Sequence, residues 1–207
     1  MQIISHRGYW KTSQEKNSEV AFARSFDLGF GTETDVRDLN GQLVISHDPP
    51  TEGAMALDAF LKLHAGRPLP LALNIKSDGL ATQLKAAAAA AGLQNYFVFD
   101  MSVPDMRHYK NEGVPFYTRL SEYEPDPVFL DDAAGVWLDS FESTWFNLDT
   151  LRGLLARPLT VCVVSSELHK RDHQALWSLL SPLRTAHNLM LCTDLPEEAQ
   201  QHFWKQA

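Results

Sequence analysis

The chain is poor in cysteine, in positive charge and in long apolar runs. Two cysteines, Cys162 and Cys192, stand among 207 residues. Both lie inside apolar, strand-like runs, so they read as buried thiols of a reducing compartment rather than as a disulfide framework. Lys and Arg number 18 against 26 Asp and Glu, for a net charge of −8. That balance disfavours nucleic acid and anionic membrane surfaces as partners, although a local basic pocket for one phosphate stays compatible with it. No apolar stretch is long enough to span a bilayer, and Met1 leads straight into a strand-like segment without a basic region or an apolar signal core. A cytoplasmic protein without stable membrane association is expected. A glycine-rich phosphate loop is also missing: Gly8-Tyr9-Trp10 after the first apolar run does not have that pattern, which counts against a doubly wound open sheet.

What is present is a regular alternation. Hydrophobic residues make up 44% of the chain, enough for one sizeable domain, expected to span 1–207. Eight β-rich runs are expected as strands: Gln2–His6, Thr32–Arg37, Leu71–Lys76, Tyr96–Asp100, Val114–Thr118, Gly135–Asp139, Thr160–Ser165 and Asn188–Thr193. Helix signals separate them. Asn17 or Ser18 can cap a helix ending at Gly29. Asp78 can cap the alanine run Ala86–Ala91, closed by Gly92. Ser102 and Gly113 bracket another helix, Asn147 and Arg157-Pro158 a further one, and Asp194 precedes Pro196. Asn40-Gly41 is a hairpin signal that extends the second strand rather than adding a barrel strand. Between Glu122 and Asp132, Pro125 and Pro127 leave room for only a brief helix. Eight strand–helix units argue for an α/β chain folded as a (β/α)8 TIM barrel. At about 26 residues per unit, against roughly 250 for the whole fold elsewhere, the barrel is compact and its loops are short.

The chemistry concentrates in the first quarter. His6-Arg7-Gly8, Glu33-Thr34-Asp35 and His47-Asp48 each stand at or near a strand end. Residues two apart on a strand share a face, so Glu33 projects with Asp35, and Asn74 with Lys76. Two carboxylates with oxygen-only chemistry suit a hard divalent cation, Mg2+ or Ca2+. Taken alone they equally suit charges on an edge-like strand. Histidine is the natural acid–base near neutral pH, and two of them beside two carboxylates suggest catalysis. Arg7 and Lys76 suit a phosphate. Tyr9, Trp10, Trp137 and Trp145 can stack on a substrate or pack loops onto the rim.

These motifs resemble the glycerophosphodiester phosphodiesterases, within the wider phospholipase-C-like group. The family pattern of H-R-G, E-N-[ST], E-x-D, a hairpin and H-D corresponds to His6-Arg7-Gly8, Lys16-Asn17-Ser18, Glu33-Thr34-Asp35 and His47-Asp48. Thr193-Asp194-Leu195-Pro196 resembles the closing T-D-x-P. The resemblance implies a (β/α)8 barrel and a metal-dependent phosphodiester hydrolase acting on a small glycerophosphodiester. It implies Glu33 and Asp35 as metal ligands, His6 and His47 as the acid–base pair, and Arg7 and Lys76 as phosphate ligands. Asn17 would order the first loop or simply cap a helix.

Three departures mark this chain. Asn74 stands where the family has a third glutamate ligand; its amide oxygen can ligate but brings no charge. Glu167, Asp139 or Glu142 would then restore the carboxylate, each with a loop or cap role as its alternative. His47-Asp48-Pro49-Pro50 runs quickly into the next helix, without the family's usual insertion. Val164-Ser165-Ser166 replaces the usual end of the seventh strand, and Ser165 and Ser166 would bind phosphate there. The alternatives are a phosphate-binding barrel without catalysis, and a phosphodiesterase that releases a cyclic phosphate. The sequence does not indicate an oligomeric state.

Overall fold

A computed structural model describes residues 1–204. Strands and helices alternate in the order β1 (Gln2–His6), α1 (Glu19–Asp27), β2 (Gly31–Leu39), β3 (Gln42–Ile45), β4 (Met55–Ala56), α2 (Leu57–His64), β5 (Leu71–Ile75) and α3 (Ala81–Ala90). There follow β6 (Tyr96–Phe99), α4 (Val103–Glu112), β7 (Tyr117–Leu120), β8 (Gly135–Leu138), α5 (Leu148–Leu155), β9 (Thr160–Val164), α6 (Gln174–Leu180), β10 (Leu189–Thr193) and α7 (Pro196–Trp204). This is the alternation of a (β/α)8 fold, with β3 and β4 as a meander added to β2. Its contacts divide the chain into two compact units, one of His6–Phe116, the other of Met1–Ser5 together with the chain from Tyr117 onward.

In the unit His6–Phe116, β2, β5 and β6 pair in parallel. The register sets Glu33 beside Ala72, Asp35 beside Asn74, and Asn74 beside Phe99. Paired residues of parallel strands point to the same face, so Glu33, Asp35, Asn74 and Lys76 share one. The hairpin forms at Asn40-Gly41, both in the left-handed region (φ 50° and 79°), as the tight turns that match strand twist require. Aromatic rings join the first two helices: Phe22 and Phe26 of α1 lie 4.6 and 6.0 Å from Phe60 of α2. All three are buried. Each such ring contributes about 1.5–3 kcal/mol by leaving water.

In the other unit, β7, β8, β9, β10 and the start of β1 pair in parallel in that spatial order. Gly135 opens β8 where a β-carbon would stand 2.4 Å from the Thr160 carbonyl oxygen and 2.5 Å from the Tyr117 ring. No other residue fits there without moving backbone. Cys162 and Cys192 are buried on β9 and β10 and are not joined in a disulfide.

Several local expectations change. The strand expected over Val114–Thr118 forms instead at Tyr117–Leu120. Val114 N–H is spent on the Tyr109 carbonyl at the end of α4, and Pro115 has no N–H to give a ladder. Phe116 makes only a single bridge, to Val98. No helix forms between Leu120 and Gly135, a stretch of turns around Pro125 and Pro127. Asp78 does not cap α3: Leu80 holds the cap position without a side-chain bond, and Asp78 accepts the Ser102 hydroxyl. Ser18 caps α1 by accepting from Ala21 N, which frees Asn17 for other work.

Candidate functional site

The site is built on three chain turns of the unit His6–Phe116. At the end of β1, Arg7 (φ 57°) and Gly8 (φ 78°) are successive left-handed residues. Gly8 is obligatory there, because a β-carbon would lie 2.8 Å from Ala21 Cβ and 3.0 Å from Phe22 Cδ1. Left-handed Arg7 costs about 1–2 kcal/mol of backbone strain. Its interactions hold it: its N–H donates to Glu33 Oε2 at 3.0 Å, and its guanidinium Nε stands 3.0 Å from Asp35 Oδ2. His6 Nε2 lies 4.0 Å from the same Glu33 oxygen.

Asp35 is the hub. It is wholly buried, and its carboxylate faces Arg7, the Asn17 amide at 2.8 Å and Lys76 Nζ at 3.5 Å. Asn17, itself left-handed (φ 56°), accepts from the Thr34 hydroxyl at 2.9 Å and donates its N–H to the Arg7 carbonyl. One asparagine thus ties the His-Arg-Gly turn to the E-x-D strand. Glu33 receives the Arg7 N–H and lies beside the Asp35 charge. Burial first, and then that charge, push its carboxyl up from 4.5 to about 7. His6, Arg7 and Lys76 oppose the shift.

Asn74 sits beside Asp35 on the next strand, 8% exposed, and its side-chain oxygen has no hydrogen-bond partner. Asp35 Oδ1 is likewise buried without a hydrogen bond, facing Lys76 as an ion pair. The Asn74 oxygen and Asp35 Oδ1, with the Glu33 carboxylate two residues along the same strand, are hard oxygen donors of the kind a divalent cation takes. The set offers a hard cation two charged ligands and one amide, and no group of three His, Cys, Asp or Glu side chains able to hold a metal occurs among the described residues.

His47 follows β3 on an exposed turn, with Nδ1 2.9 Å from Asp48 Oδ1 and its carbonyl accepting from Arg37. Ser46, the residue before it, donates its N–H to the Asp35 carbonyl, which anchors this turn to the end of β2. Tyr9 is buried edge-on against Phe30 and packs the loop. Trp10 donates to the His6 carbonyl.

Two further titratable residues stand beside the candidates, one in each unit. Asp100, just beyond β6, lies 3.9 Å from Lys76 Nζ. It was expected merely to end a strand. His169 belongs to the other unit, where its Nε2 meets Asp139 Oδ1 at 2.7 Å. The only sequence signal for it was its place in a loop after a strand.

That other unit also holds the remaining candidates. Ser140 N and His169 share one Asp139 oxygen. Glu167 has both oxygens engaged, by the Ser165 hydroxyl on one side and by the Thr193 hydroxyl and Asp194 N–H on the other. Ser165 also accepts from the buried Trp177 indole. Ser166 is buried with its hydroxyl unpaired. Glu142 accepts from the exposed Tyr123 hydroxyl. Trp137 is buried, and Trp145 donates to the Asp139 carbonyl.

No protein-family model matches the chain, and no curated protein matches it in sequence. Solved structures do match in fold. A glycerophosphodiester phosphodiesterase from Agrobacterium tumefaciens str. C58 superposes with a TM-score of 0.71 at 16% identity, covering 98% of each chain. A mutant tryptophan synthase alpha-subunit from Pyrococcus furiosus gives 0.57 at 16% identity, covering 99% of this chain and 98% of that one. A Ca2+-dependent phosphatidylinositol-specific phospholipase C from Streptomyces antibioticus gives 0.51 at 13%, covering 96% and 95%. At these identities the likeness establishes the (β/α)8 fold, which supports several chemistries. Among the described residues no helix is long and apolar enough to cross a membrane.

Proposed function

We propose that this chain is a metal-dependent phosphodiester hydrolase for a small, glycerophosphodiester-like substrate. The carrying observation is the grouping of two buried carboxylates, Glu33 and Asp35, with two cationic side chains, Arg7 and Lys76, and with His6 at 4.0 Å from Glu33. Two cations and two carboxylates gathered in one buried place suit the handling of a phosphate.

Glu33, Asp35 and Asn74 are the residues that would hold a divalent cation, Mg2+ or Ca2+. When bound it draws charge from the phosphoryl oxygens and acidifies a water. Arg7 and Lys76 bind the non-bridging oxygens and offset the charge that grows there in the transition state. One histidine of the His6/His47 pair takes the proton from the attacking water. The other protonates the departing alkoxide, so that one alcohol and one phosphomonoester leave. His6 stands 4.0 Å from Glu33, and His47 is oriented by Asp48.

Phosphorus NMR on glycerophosphodiesters incubated with protein and Mg2+ or Ca2+ tests this. A metal-dependent monoester signal, absent with His6→Ala and with Glu33→Ala, supports it. A cyclic phosphate as end product supports the transfer variant of the same chemistry. Binding without turnover at any pH makes the chain a phosphate-binding barrel and ends the hydrolase proposal.

A further inference from the structure

The chain leaves β6 at Asp100, which follows Phe99 with a left-handed backbone (φ 68°). Aspartate tolerates that conformation better than most residues, but glycine takes it without strain. The strain accompanies a specific contact. The Asp100 carboxylate stands 3.9 Å from Lys76 Nζ, and Asp35 Oδ1 stands 3.5 Å from the same nitrogen. Because β5 lies between β2 and β6 in the sheet, the two carboxylates reach Lys76 from strands on opposite sides of its own. Both distances are ion-pair separations rather than close hydrogen bonds, so the three N–H donors of the ammonium are not spent on either carboxylate. Asp35 Oδ1 is buried and accepts no hydrogen bond. A buried acceptor without a partner is costly, and the flexible four-carbon stem of lysine would let the ammonium close onto it. Asp100 pulls the other way.

We propose that Asp100 is the positioning residue of Lys76: it keeps the ammonium from closing onto Asp35 and leaves its donors available to a phosphate oxygen. The inference rests on the reading of Lys76 as a phosphate ligand. It requires no contact between Asp100 and the phosphate.

The test is calorimetric titration of the intact protein with inorganic phosphate in Mg2+ buffer, beside a thermal melt of each variant. Asp100→Asn keeps the size and the left-handed tolerance of the side chain and removes its charge. It should bind phosphate about tenfold more weakly, a size usual for groups coupled in one network, without a matching loss of melting temperature. Asp100→Gly should bind as weakly and melt no lower than wild type, because the backbone strain is gone. Asp100→Glu should recover part of the affinity. Lys76→Met should also weaken binding, and Asp100→Asn added to it should change nothing more, since Asp100 acts through the lysine. The inference is overturned if Asp100→Asn binds phosphate as tightly as wild type, or more tightly, which would make Asp100 only a competing charge. It is overturned equally if Asp100→Asn weakens binding as much in the Lys76→Met background as alone. If Asp100→Asn fails to fold, Asp100→Gly carries the same comparison. A wild type that binds no phosphate overturns the phosphate reading of Lys76 and this inference with it, a result distinct from loss of the Asp100 assignment alone.

Discussion

The Asn17 side-chain amide donates to Asp35 Oδ2 at 2.8 Å, across 18 residues of sequence, while its own N–H is held by the Arg7 carbonyl. Asparagine suits the place twice. It tolerates the left-handed backbone, and it offers a donor to Asp35 and an acceptor to Thr34 at once.

Asn17→Ala should therefore cost about 1–3 kcal/mol, the range for leaving a buried partner unsatisfied. Asn17→Gly keeps the backbone relaxed while losing the same bonds. Chemical denaturation should place glycine above alanine in stability. Both should lower kcat, because Asp35 loses an orienting partner. Equal stability and unchanged kcat in both variants would show that the amide does no such work.

Glu33 makes stability depend on pH. Its carboxyl titrates at about 7 in the folded chain, against 4.5 ordinarily. Between those values the folded protein keeps a proton that the unfolded chain has released. Stability contributed by this group is thus greatest at acid pH, falls as pH rises from 4.5 to 7, and is flat above. Glu33→Gln cannot ionise and loses this slope. Relative to wild type it should gain about 2–3 kcal/mol of stability between pH 5 and pH 8 in metal-free buffer, while activity is lost. Parallel stability–pH curves for the two proteins would contradict the buried, raised carboxyl.

Gly8→Ala should be among the most damaging single changes. The added methyl meets Ala21 and Phe22 within 3.0 Å, on a left-handed backbone. Overpacking and strain together cost about 2–4 kcal/mol. Because Arg7 N–H is a donor to Glu33, the displaced turn should also remove activity before the protein unfolds. A melting curve with a matched activity assay separates the two losses.

Much of this site was legible in the sequence because strand periodicity does most of the placing. Glu33 and Asp35 share a face for the same reason that Asn74 and Lys76 do, and parallel pairing then sets Asp35 beside Asn74. His6 and Arg7 were legible from their place at a strand end. Asp100 was not. It ends the apolar run Tyr96–Phe99 and looks like any residue leaving a strand; its left-handed backbone and its approach to Lys76 arise only once β5 and β6 are paired. Asn17 was ambiguous because a cap and a long-range donor use the same side chain, and the structure gives the cap to Ser18. The misplaced fifth strand has a local cause in Pro115, whose missing N–H weakens the apolar run around it.

Glu167 offers a control for the carboxylate assignment. Ser165, Thr193 and Asp194 already occupy its two oxygens, which makes it a tie between the ends of β9 and β10. Glu167→Gln turns one acceptor into a donor facing donors, and should lower stability by about 1–3 kcal/mol. Its cation affinity should equal wild type by calorimetry. A large loss of affinity with unchanged melting would make Glu167 a ligand instead.

The central claim is metal-dependent cleavage of a phosphodiester by the Glu33–Asp35 site. Phosphorus NMR of a glycerophosphodiester with the purified protein, with Mg2+ or Ca2+ added and then chelated, tests it most directly. A phosphomonoester is expected to accumulate with metal, to stop accumulating on chelation and never to form with Glu33→Ala. An unchanged diester under every metal and pH condition, or cleavage that persists in Glu33→Ala, would contradict it.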